Sequence, residues 1–166
     1  MKRLILLRHA KSAWETPNLD DKDRPLNERG RSDAPRMGKW MAVSGFVPDT
    51  VLCSTAVRTR ETWALVAPAL PNAPEVLFED LLYLASEDEM LSALRAADGD
   101  CVMMIGHMPG IGTLAADLRR KGPVLHGLFS KYPTCAASVI DFDIDDWAQV
   151  KFGTGELLAF QVPKEL

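Results

Sequence analysis

Short apolar runs alternate along the chain with longer segments in which apolar residues recur at helical spacing. The strand predictions are Arg3–Leu7, Thr50–Cys53, Glu75–Phe78, Cys101–Ile105 and Ala137–Phe142. The first run is aliphatic throughout its second half and has no polar face, which is typical of a strand covered on both sides. Two later runs, Trp147–Phe152 and Leu157–Val162, predict a terminal hairpin that turns at "GTG".

Helices are predicted between these strands. The first covers about Asn27–Ser44, with the asparagine as N-cap, and a second follows Ser54, which is expected to cap it. A third covers roughly Ser86–Ala97 and has carboxylates in its first turn, and a fourth covers about Pro109–Arg120. Strands that alternate with helices predict an α/β fold with three layers, α/β/α, on a mostly parallel sheet with an antiparallel edge.

The length of 166 residues fits one domain, spanning residues 1–166, and the composition, 47% hydrophobic and 25% charged, is that of a globular protein. A net charge of −4 gives no general attraction for nucleic acid or an anionic membrane, so neither is expected as a partner. The opening apolar run is too short for a signal peptide, so a cytoplasmic location is expected. Three cysteines without a close CxxC spacing predict neither a disulfide framework nor a zinc site.

Two predicted strands, "LILLRHA" and "VMMIGHM", both lead into a histidine, His9 and His107. Ligands of open α/β sheets bind just beyond the carboxyl ends of the strands. If the two strands are neighbours, both imidazoles face one crevice. Arg8 directly precedes His9, and burying such groups costs desolvation energy unless an anion receives them.

A third element, "VLCSTAVRTRETW", places Arg58 in the first turn or so of a helix, where free N–H groups already favour anions. Arg60 lies about 200° further round the helix and is expected on the surface, paired with Glu61. Gly106 and Gly110 allow the backbone beside His107 to approach a ligand closely. Together these residues predict a pocket for a tetrahedral dianion, most simply phosphate. Carboxylates or thiolates at metal-ligand spacing do not accompany them, so no metal is expected.

The motifs "LRHAKS", "STAVRTRET" and "IGHMPGI", in this order, resemble the histidine phosphatase superfamily, also called phosphoglycerate mutase-like. "DRPLNERG" and "EDLLYLAS" are similar to its SixA-like branch, the phosphohistidine phosphatases. The resemblance covers about residues 1–162 and implies a phosphoglycerate mutase-like fold and no cofactor. It implies that His9 is the nucleophile that is transiently phosphorylated. It further implies that Arg8, Arg58 and His107 bind the phosphoryl oxygens and stabilise the transition state.

The chain departs from the family pattern near the nucleophile. Ala10 replaces the glycine of the Arg-His-Gly hallmark, and Glu15 stands where many larger relatives carry an asparagine that holds phosphate. A carboxylate cannot donate to phosphate, so Glu15 is expected to point away or to pair with Lys11 or Arg24. Ser12 is a candidate substrate-binding residue. Lys11 and Ser12 are candidates to donate hydrogen bonds to phosphate in place of the missing asparagine.

Larger relatives place a glutamate after the third strand to protonate the leaving oxygen. In "VLFEDLLYLAS" the candidate general acids are Glu79 and Asp80, although the expected position falls near Tyr83 or Leu84. The alternative is that the two carboxylates form a solvated turn. A weak acid site favours a leaving group such as the imidazole of phosphohistidine, whose conjugate acid has a pKa near roughly 6.5.

The sequence thus predicts a metal-independent phosphatase that acts through phospho-His9. Because no long insertion forms a lid, the expected substrate is phosphohistidine on a protein rather than a small phosphorylated molecule. Two alternatives stay open, a broad-specificity small-molecule phosphomonoesterase and a phospho-binding module without turnover. Lys11, Trp14 and Glu15 are expected to determine substrate specificity, with Trp14 at the pocket rim. The sequence gives no prediction of oligomeric state.

Overall fold

The computed structural model of the protein describes residues 1–124 and 126–166. Within these residues strands and helices alternate through most of the chain. The strands are β1 Lys2–Arg8, β2 Thr50–Ser54, β3 Val76–Glu79, β4 Cys101–Gly106, β5 Ala137–Phe142 and β6 Glu156–Gln161. The α-helices are α1 Glu28–Ser44, α2 Val57–Val66, α3 Glu87–Arg95 and α4 Gly110–Leu118. Short 3-10 turns follow β3 and precede β6.

The six strands form one sheet in the order β3-β2-β4-β1-β5-β6. The neighbours from β3 to β1 are parallel, whereas β5 runs antiparallel to β1 and β6 runs antiparallel to β5. This confirms the predicted mostly parallel sheet with an antiparallel edge.

The uninterrupted apolar run of β1 is explained by a core on each face of the sheet. Leu4 and Leu6 belong to the core beneath α3 and α4, whereas Ile5 and Leu7 belong to the core beneath α1 and α2. Successive strand residues point to opposite faces, so a central strand needs apolar residues at every position. Full burial of one such side chain is worth about 1.5–3 kcal/mol.

The helix starts follow their predicted caps closely. The Asn27 side chain accepts a hydrogen bond of 2.9 Å from the Gly30 N–H at the start of α1. At the start of α3, Ser86 and Glu89 form a reciprocal capping box. Pro109 precedes α4 as its N-cap. α2 differs from the prediction, since its N-cap is Ala56 and Ser54 is the last residue of β2.

The predicted terminal hairpin is wrong in its first strand. Trp147–Gln149 forms a 3-10 turn, and β6 pairs with β5 instead. The Asp146 side chain accepts a hydrogen bond from Ala148, which starts the turn. The Trp147 indole is buried and donates 2.8 Å to the Gly99 carbonyl, so its apolar character serves the core rather than a strand.

No helix in the part of the chain that the structure describes is long and apolar enough to cross a membrane.

Gly30, at the start of α1, packs against the backbone that follows β1. A Cβ at this position would overlap the carbonyl oxygen of Lys11, whereas a Cβ at Gly122 would meet no atom within 4 Å. We expect Gly30→Ala to lower the free energy of unfolding by about 2 kcal/mol, because the clash exceeds the roughly 1 kcal/mol gained in helix propensity. Denaturant unfolding measures this, with Gly122→Ala as the matched control. Equal stability of the two variants would contradict this packing.

Candidate active site

The parallel pairing of β1 with β4 brings His9 and His107 together. Arg8 lies opposite Gly106 in the register, and the His9 backbone N–H donates 3.1 Å to the Gly106 carbonyl. The two imidazole rings are both buried, and their centroids are 5.4 Å apart. They line a pocket of about 230 Å³ beyond the carboxyl ends of these strands. Its lining residues are Arg8, His9, Lys11, Ser12, Trp14, Arg24, Arg58, Leu84, His107, Met108 and Thr134.

His9 is held in one tautomer. Its Nδ1 lies 2.7 Å from the Ala10 carbonyl oxygen, which can only accept, so Nδ1 carries the proton and Nε2 keeps its lone pair. Burial lowers the pKa of His9 to about 3. The ring is therefore neutral near pH 7, and Nε2 is available as a nucleophile.

His107 is paired with Ser54, the last residue of β2. Its Nε2 lies 2.7 Å from the Ser54 Oγ, which also accepts 3.3 Å from the Ala56 N–H. Where the Ser54 hydroxyl donates to Nε2, the proton of the neutral His107 ring is on Nδ1. Nδ1 is buried and has no hydrogen-bond partner among the described residues, so it is a donor free to receive a ligand oxygen. Burial, and then the charge of Arg58, lower the pKa of His107 to about 3.

Two guanidinium groups, of the buried Arg58 and the half-buried Arg8, contribute the positive charge of the pocket. Arg58, in the first turn of α2, is 3% exposed, and Arg8 donates 2.9 Å to the Tyr132 carbonyl. The Nε atoms of Arg8 and Arg58 are both buried and lack a partner within the described structure. Burial, and then the charge of Arg58, lower the pKa of Arg8. Two guanidinium groups held close together, each with a free Nε–H, favour the binding of a dianion.

Asp21 partly balances this charge, and no local sequence pattern predicted it as a residue of the site. Arg58 donates to the Asp21 carbonyl at 2.7 Å and to its carboxylate at 3.0 Å, and Arg24 donates to the other carboxylate oxygen at 2.6 Å. The Tyr83 hydroxyl donates to the same carboxylate. These hydrogen bonds, from Tyr83 first, lower the pKa of Asp21 to about 2. Asp21 is thus a permanent anion that orients Arg58 and Arg24.

A buried hydroxyl links the His9 loop to α2. The Thr62 Oγ accepts 3.0 Å from the Ala10 N–H and donates 2.6 Å to the Arg58 carbonyl. Ala10 is fully buried, so the methyl group that replaces the hallmark glycine is accommodated in the core. The position of the nucleophile is therefore coupled to the helix that carries Arg58.

The residues after His9 differ from expectation in their partners. Ser12 lines the pocket, but its Oγ accepts a hydrogen bond from Arg24. Trp14 is exposed at the rim, and the Arg24 guanidinium carbon lies 3.2 Å from its ring centroid. Glu15 is exposed and does not line the pocket, in agreement with the expectation that it points away, whereas the alternative of a pairing with Arg24 is wrong, because Arg24 binds Asp21. Within the described residues Glu15 makes no ion pair with Lys11 either.

The structure does not bring the candidate acids Glu79 and Asp80 into this pocket. Asp80 accepts 2.6 Å from the Thr55 hydroxyl and 3.1 Å from the Lys22 ammonium, and these two hydrogen bonds lower the pKa of Asp80. Glu79 lines a separate groove between β3 and α3. Glu79 ends β3 and Asp80 begins the short 3-10 turn that follows it, and neither carboxylate lines the pocket. Leu84, just after this turn, is part of the pocket wall.

The expected pairing of Arg60 with Glu61 is also wrong. Arg60 donates 2.9 Å to the Thr55 carbonyl and lies over the Phe78 ring, 4.1 Å from its centroid. The Glu61 carboxylate instead accepts 2.8 Å from the Leu26 N–H.

The three cysteines, Cys53, Cys101 and Cys135, are free. Across residues 1–124 and 126–166, no group of three or more His, Cys, Asp or Glu side chains is arranged to hold a metal ion.

The tautomers and pKa values of the two pocket histidines can be tested directly. We expect ¹⁵N NMR to show His9 and His107 as neutral Nδ1–H tautomers while the pH falls from 8 to 5, because burial keeps their pKa well below the usual value of roughly 6.5. Ser54→Ala should leave the His9 signal unchanged and remove the tautomer preference of His107. Protonation of either ring near pH 6.5 would contradict the buried, neutral site.

Comparison with known proteins identifies the family of this chain. A model of the histidine phosphatase superfamily (branch 1) matches residues 4–82. An uncharacterised Mycobacterium tuberculosis protein is 32% identical over 165 residues, covering 95% of this chain and all of the relative. The candidate phosphohistidine phosphatase SixA of Agrobacterium tumefaciens has 33% identity, 98% coverage of both chains and a TM-score of 0.81.

A second solved structure, the candidate phosphohistidine phosphatase SixA of Nakamurella multipartitia, has 30% identity and a TM-score of 0.81, covering 98% of this chain and 96% of its own. The sheet order, the three motifs and these full-length matches agree. The chain belongs to the histidine phosphatase superfamily, has the phosphoglycerate mutase-like fold, and lies in the SixA-like branch.

Proposed function

We propose that the protein hydrolyses phosphohistidine on a protein substrate, through a phosphorylated His9 and without a metal ion. The observation that carries the proposal is the neutral His9 ring, whose Nε2 lone pair is fixed beside the donors Arg8, Arg58 and His107. Phosphoryl transfer depends on in-line positioning and on stabilising charge at the phosphoryl oxygens. Two guanidinium groups supply that charge here, which is the reason for proposing a reaction without a metal.

In the first step, Nε2 of His9 attacks phosphorus as the bond from phosphorus to the substrate imidazole breaks. The electron pair of that bond returns to the departing nitrogen, which takes a proton from water. Arg8 and Arg58 bind the phosphoryl oxygens, and the Nδ1–H of His107 is a further donor to them. The substrate leaves as neutral histidine, and the phosphoryl group stays on His9.

In the second step, water attacks phosphorus from the side that the product has vacated. The bond to Nε2 breaks, its electron pair returns to the His9 ring, and inorganic phosphate leaves. The attacking water gives up one proton, which neutralises the hydroxide formed in the first step. The ring regains the neutral Nδ1–H tautomer that the Ala10 carbonyl holds. Each turnover therefore consumes one water and restores the starting site.

The surroundings of the leaving group favour phosphohistidine over alkyl esters. The nearby Asp21 has its pKa lowered to about 2, so it carries no proton to donate at neutral pH. Leu84 and Tyr83, whose ring centroid is 5.5 Å from that of His107, lie where an acid is expected. A departing imidazole is protonated by water at neutral pH, whereas an alkoxide is far more basic and needs a positioned acid. The phosphohistidine phosphatases among the structural relatives support the same choice.

The chain has three histidines, which allows the nucleophile to be identified directly. We expect rapid denaturation during turnover of ³²P-labelled phosphohistidine to trap an acid-labile, base-stable label on the protein. His9→Ala should lose the label and at least about 10³-fold in kcat, because the covalent route is removed.

His126→Ala is the matched control, since His126 pairs with Glu165 and lies outside the pocket lining. It should keep the label. A His9→Ala variant that still hydrolyses phosphohistidine would overturn the proposed nucleophile. Tight binding of phosphate by a wild-type protein that neither labels nor turns over would instead identify a phospho-binding module.

The leaving group decides between the proposed reaction and a broad phosphomonoesterase. We expect kcat/KM for free phosphohistidine to exceed that for phosphoserine by about 10²-fold or more, which is the usual contribution of a general acid that the site lacks. p-Nitrophenyl phosphate, whose leaving group needs no acid, should be hydrolysed and serves as the control for ester recognition. Similar kcat/KM values for phosphoserine and phosphohistidine would contradict the proposal.

A further inference from the structure

A groove of about 620 Å³ lies between the edge strand β3 and helix α3, apart from the phosphoryl pocket. Its walls are mainly leucine and alanine, including Leu77, Leu81, Leu82, Ala93 and Ala97. β3 is the last strand of the sheet on this side, so its outer edge has no partner strand among the described residues. We call this surface the β3–α3 groove.

Large apolar side chains are exposed at unusual density beside this groove. Leu81 is 73% exposed, and Leu77, Leu84 and Phe78 are each more than a third exposed, all within one short segment of chain. Leu77 and Leu81 line the groove itself. Phe78 points to the other face of β3, beneath Arg60, and Leu84 lines the phosphoryl pocket. Single exposed apolar residues are normal on a protein surface, but apolar side chains exposed together in a groove mark a binding surface.

The groove and the phosphoryl pocket are joined by the same stretch of chain. Glu79 and Leu82 line the groove, Tyr83 packs edge-on against His107, and Leu84 lines the pocket. A protein partner buries about 800 Å² on each side, which corresponds to a disc roughly 16 Å in radius. A protein that places a phosphohistidine in the pocket therefore also covers surface well beyond the pocket mouth.

The charges of the two sites are opposite. The pocket is built on Arg8, Arg58 and Arg24, whereas the groove is lined by the exposed carboxylates of Glu79, Glu89 and Asp98. None of the described residues that line the groove is lysine or arginine. The complementary partner has a phosphoryl group for the pocket and, next to it, apolar side chains flanked by lysine or arginine for the groove.

We propose that the β3–α3 groove is the docking surface for the phosphorylated protein substrate, which it recognises by apolar residues with basic neighbours near the phosphohistidine. This inference rests on the proposed phosphohistidine phosphatase activity and adds the source of its protein specificity. A small phosphorylated molecule fills the pocket alone and does not reach the groove. The groove therefore affects KM for a protein substrate and leaves the chemical step unchanged.

The test uses two synthetic helical peptides of about 20 residues, each with one histidine phosphorylated by phosphoramidate. One carries leucines flanked by lysines beside the phosphohistidine, and the other carries serine and glutamate at those positions. We expect the Leu/Lys peptide to have a KM about tenfold lower, with similar kcat, which corresponds to about 1.4 kcal/mol of added binding.

Leu81→Lys should remove this difference between the peptides, because it replaces an apolar contact by a charge that repels lysine, while leaving the turnover of free phosphohistidine unchanged. Leu158→Lys is the matched control, because Leu158 is 44% exposed on β6, at the opposite edge of the sheet. It should keep the preference for the Leu/Lys peptide. Equal KM values for the two peptides, or a preference that Leu81→Lys leaves intact, would overturn the docking surface.

Two further outcomes separate this inference from the proposed function. If free phosphohistidine is hydrolysed but Leu81 has no effect on either peptide, the docking surface is wrong and the activity stands. If neither free phosphohistidine nor the peptides are hydrolysed, the proposed function fails and the docking surface with it. A wild-type dimer that Leu81→Lys converts to a monomer, with no change in KM, would show that a second copy of the chain covers the groove.

Discussion

The parallel alignment of β1 with β4 is the constraint on which the site depends. Because Arg8 lies opposite Gly106, the chain leaves both strands at the same level, and the next residue of each is a histidine. A shift of one residue would move each aliphatic side chain of β1 into the core on the opposite face, and the two histidines would no longer leave their strands at the same level. The same two cores that fix this register therefore also fix the 5.4 Å separation of the imidazole rings.

Burying cations at the end of a sheet is costly, and the protein offsets the cost only in part. Asp21 neutralises much of Arg58 and Arg24, but Arg8 donates only to a backbone carbonyl. Burial, and to a smaller extent this remaining positive charge, keep the two histidines neutral, and the charge attracts an anion. The exposed Asp21 thus orients Arg58 and Arg24. Within the described residues, Arg8 is held by a backbone carbonyl instead.

The strand ends and their chemistry were predictable from sequence because apolar runs and terminal polar residues are local patterns. His9, His107, Arg8 and Arg58 were all singled out in this way, and the structure brings them to one pocket. The fold class and the caps of α1 and α3 follow from equally local signals. The roles of these residues in catalysis stay predictions that the labelling experiment tests.

The remaining features depend on contacts between residues distant in sequence. Asp21 meets Tyr83 across 62 positions and Ser54 meets His107 across 53, and neither pair leaves a periodic pattern. The sequence predicts Arg24 only as a partner for Glu15, because charge alone does not distinguish Glu15 from Asp21. At Trp147 the strand prediction is wrong because an aromatic residue in a polar segment is compatible both with an edge strand and with a side chain buried in the core.

The hydrogen bond between His9 Nδ1 and the Ala10 carbonyl also bears on how long the intermediate survives. On the proposed pathway, a phosphoryl group on Nε2 with Nδ1 still protonated makes the ring an imidazolium, from which phosphorus departs readily. The backbone carbonyl stabilises that protonated form. When phosphorus departs, the ring is left as a neutral imidazole and does not need to take up another proton. The bond that prepares the nucleophile thus gives the phosphorylated enzyme a short lifetime, which suits a hydrolase and not a phosphoryl carrier.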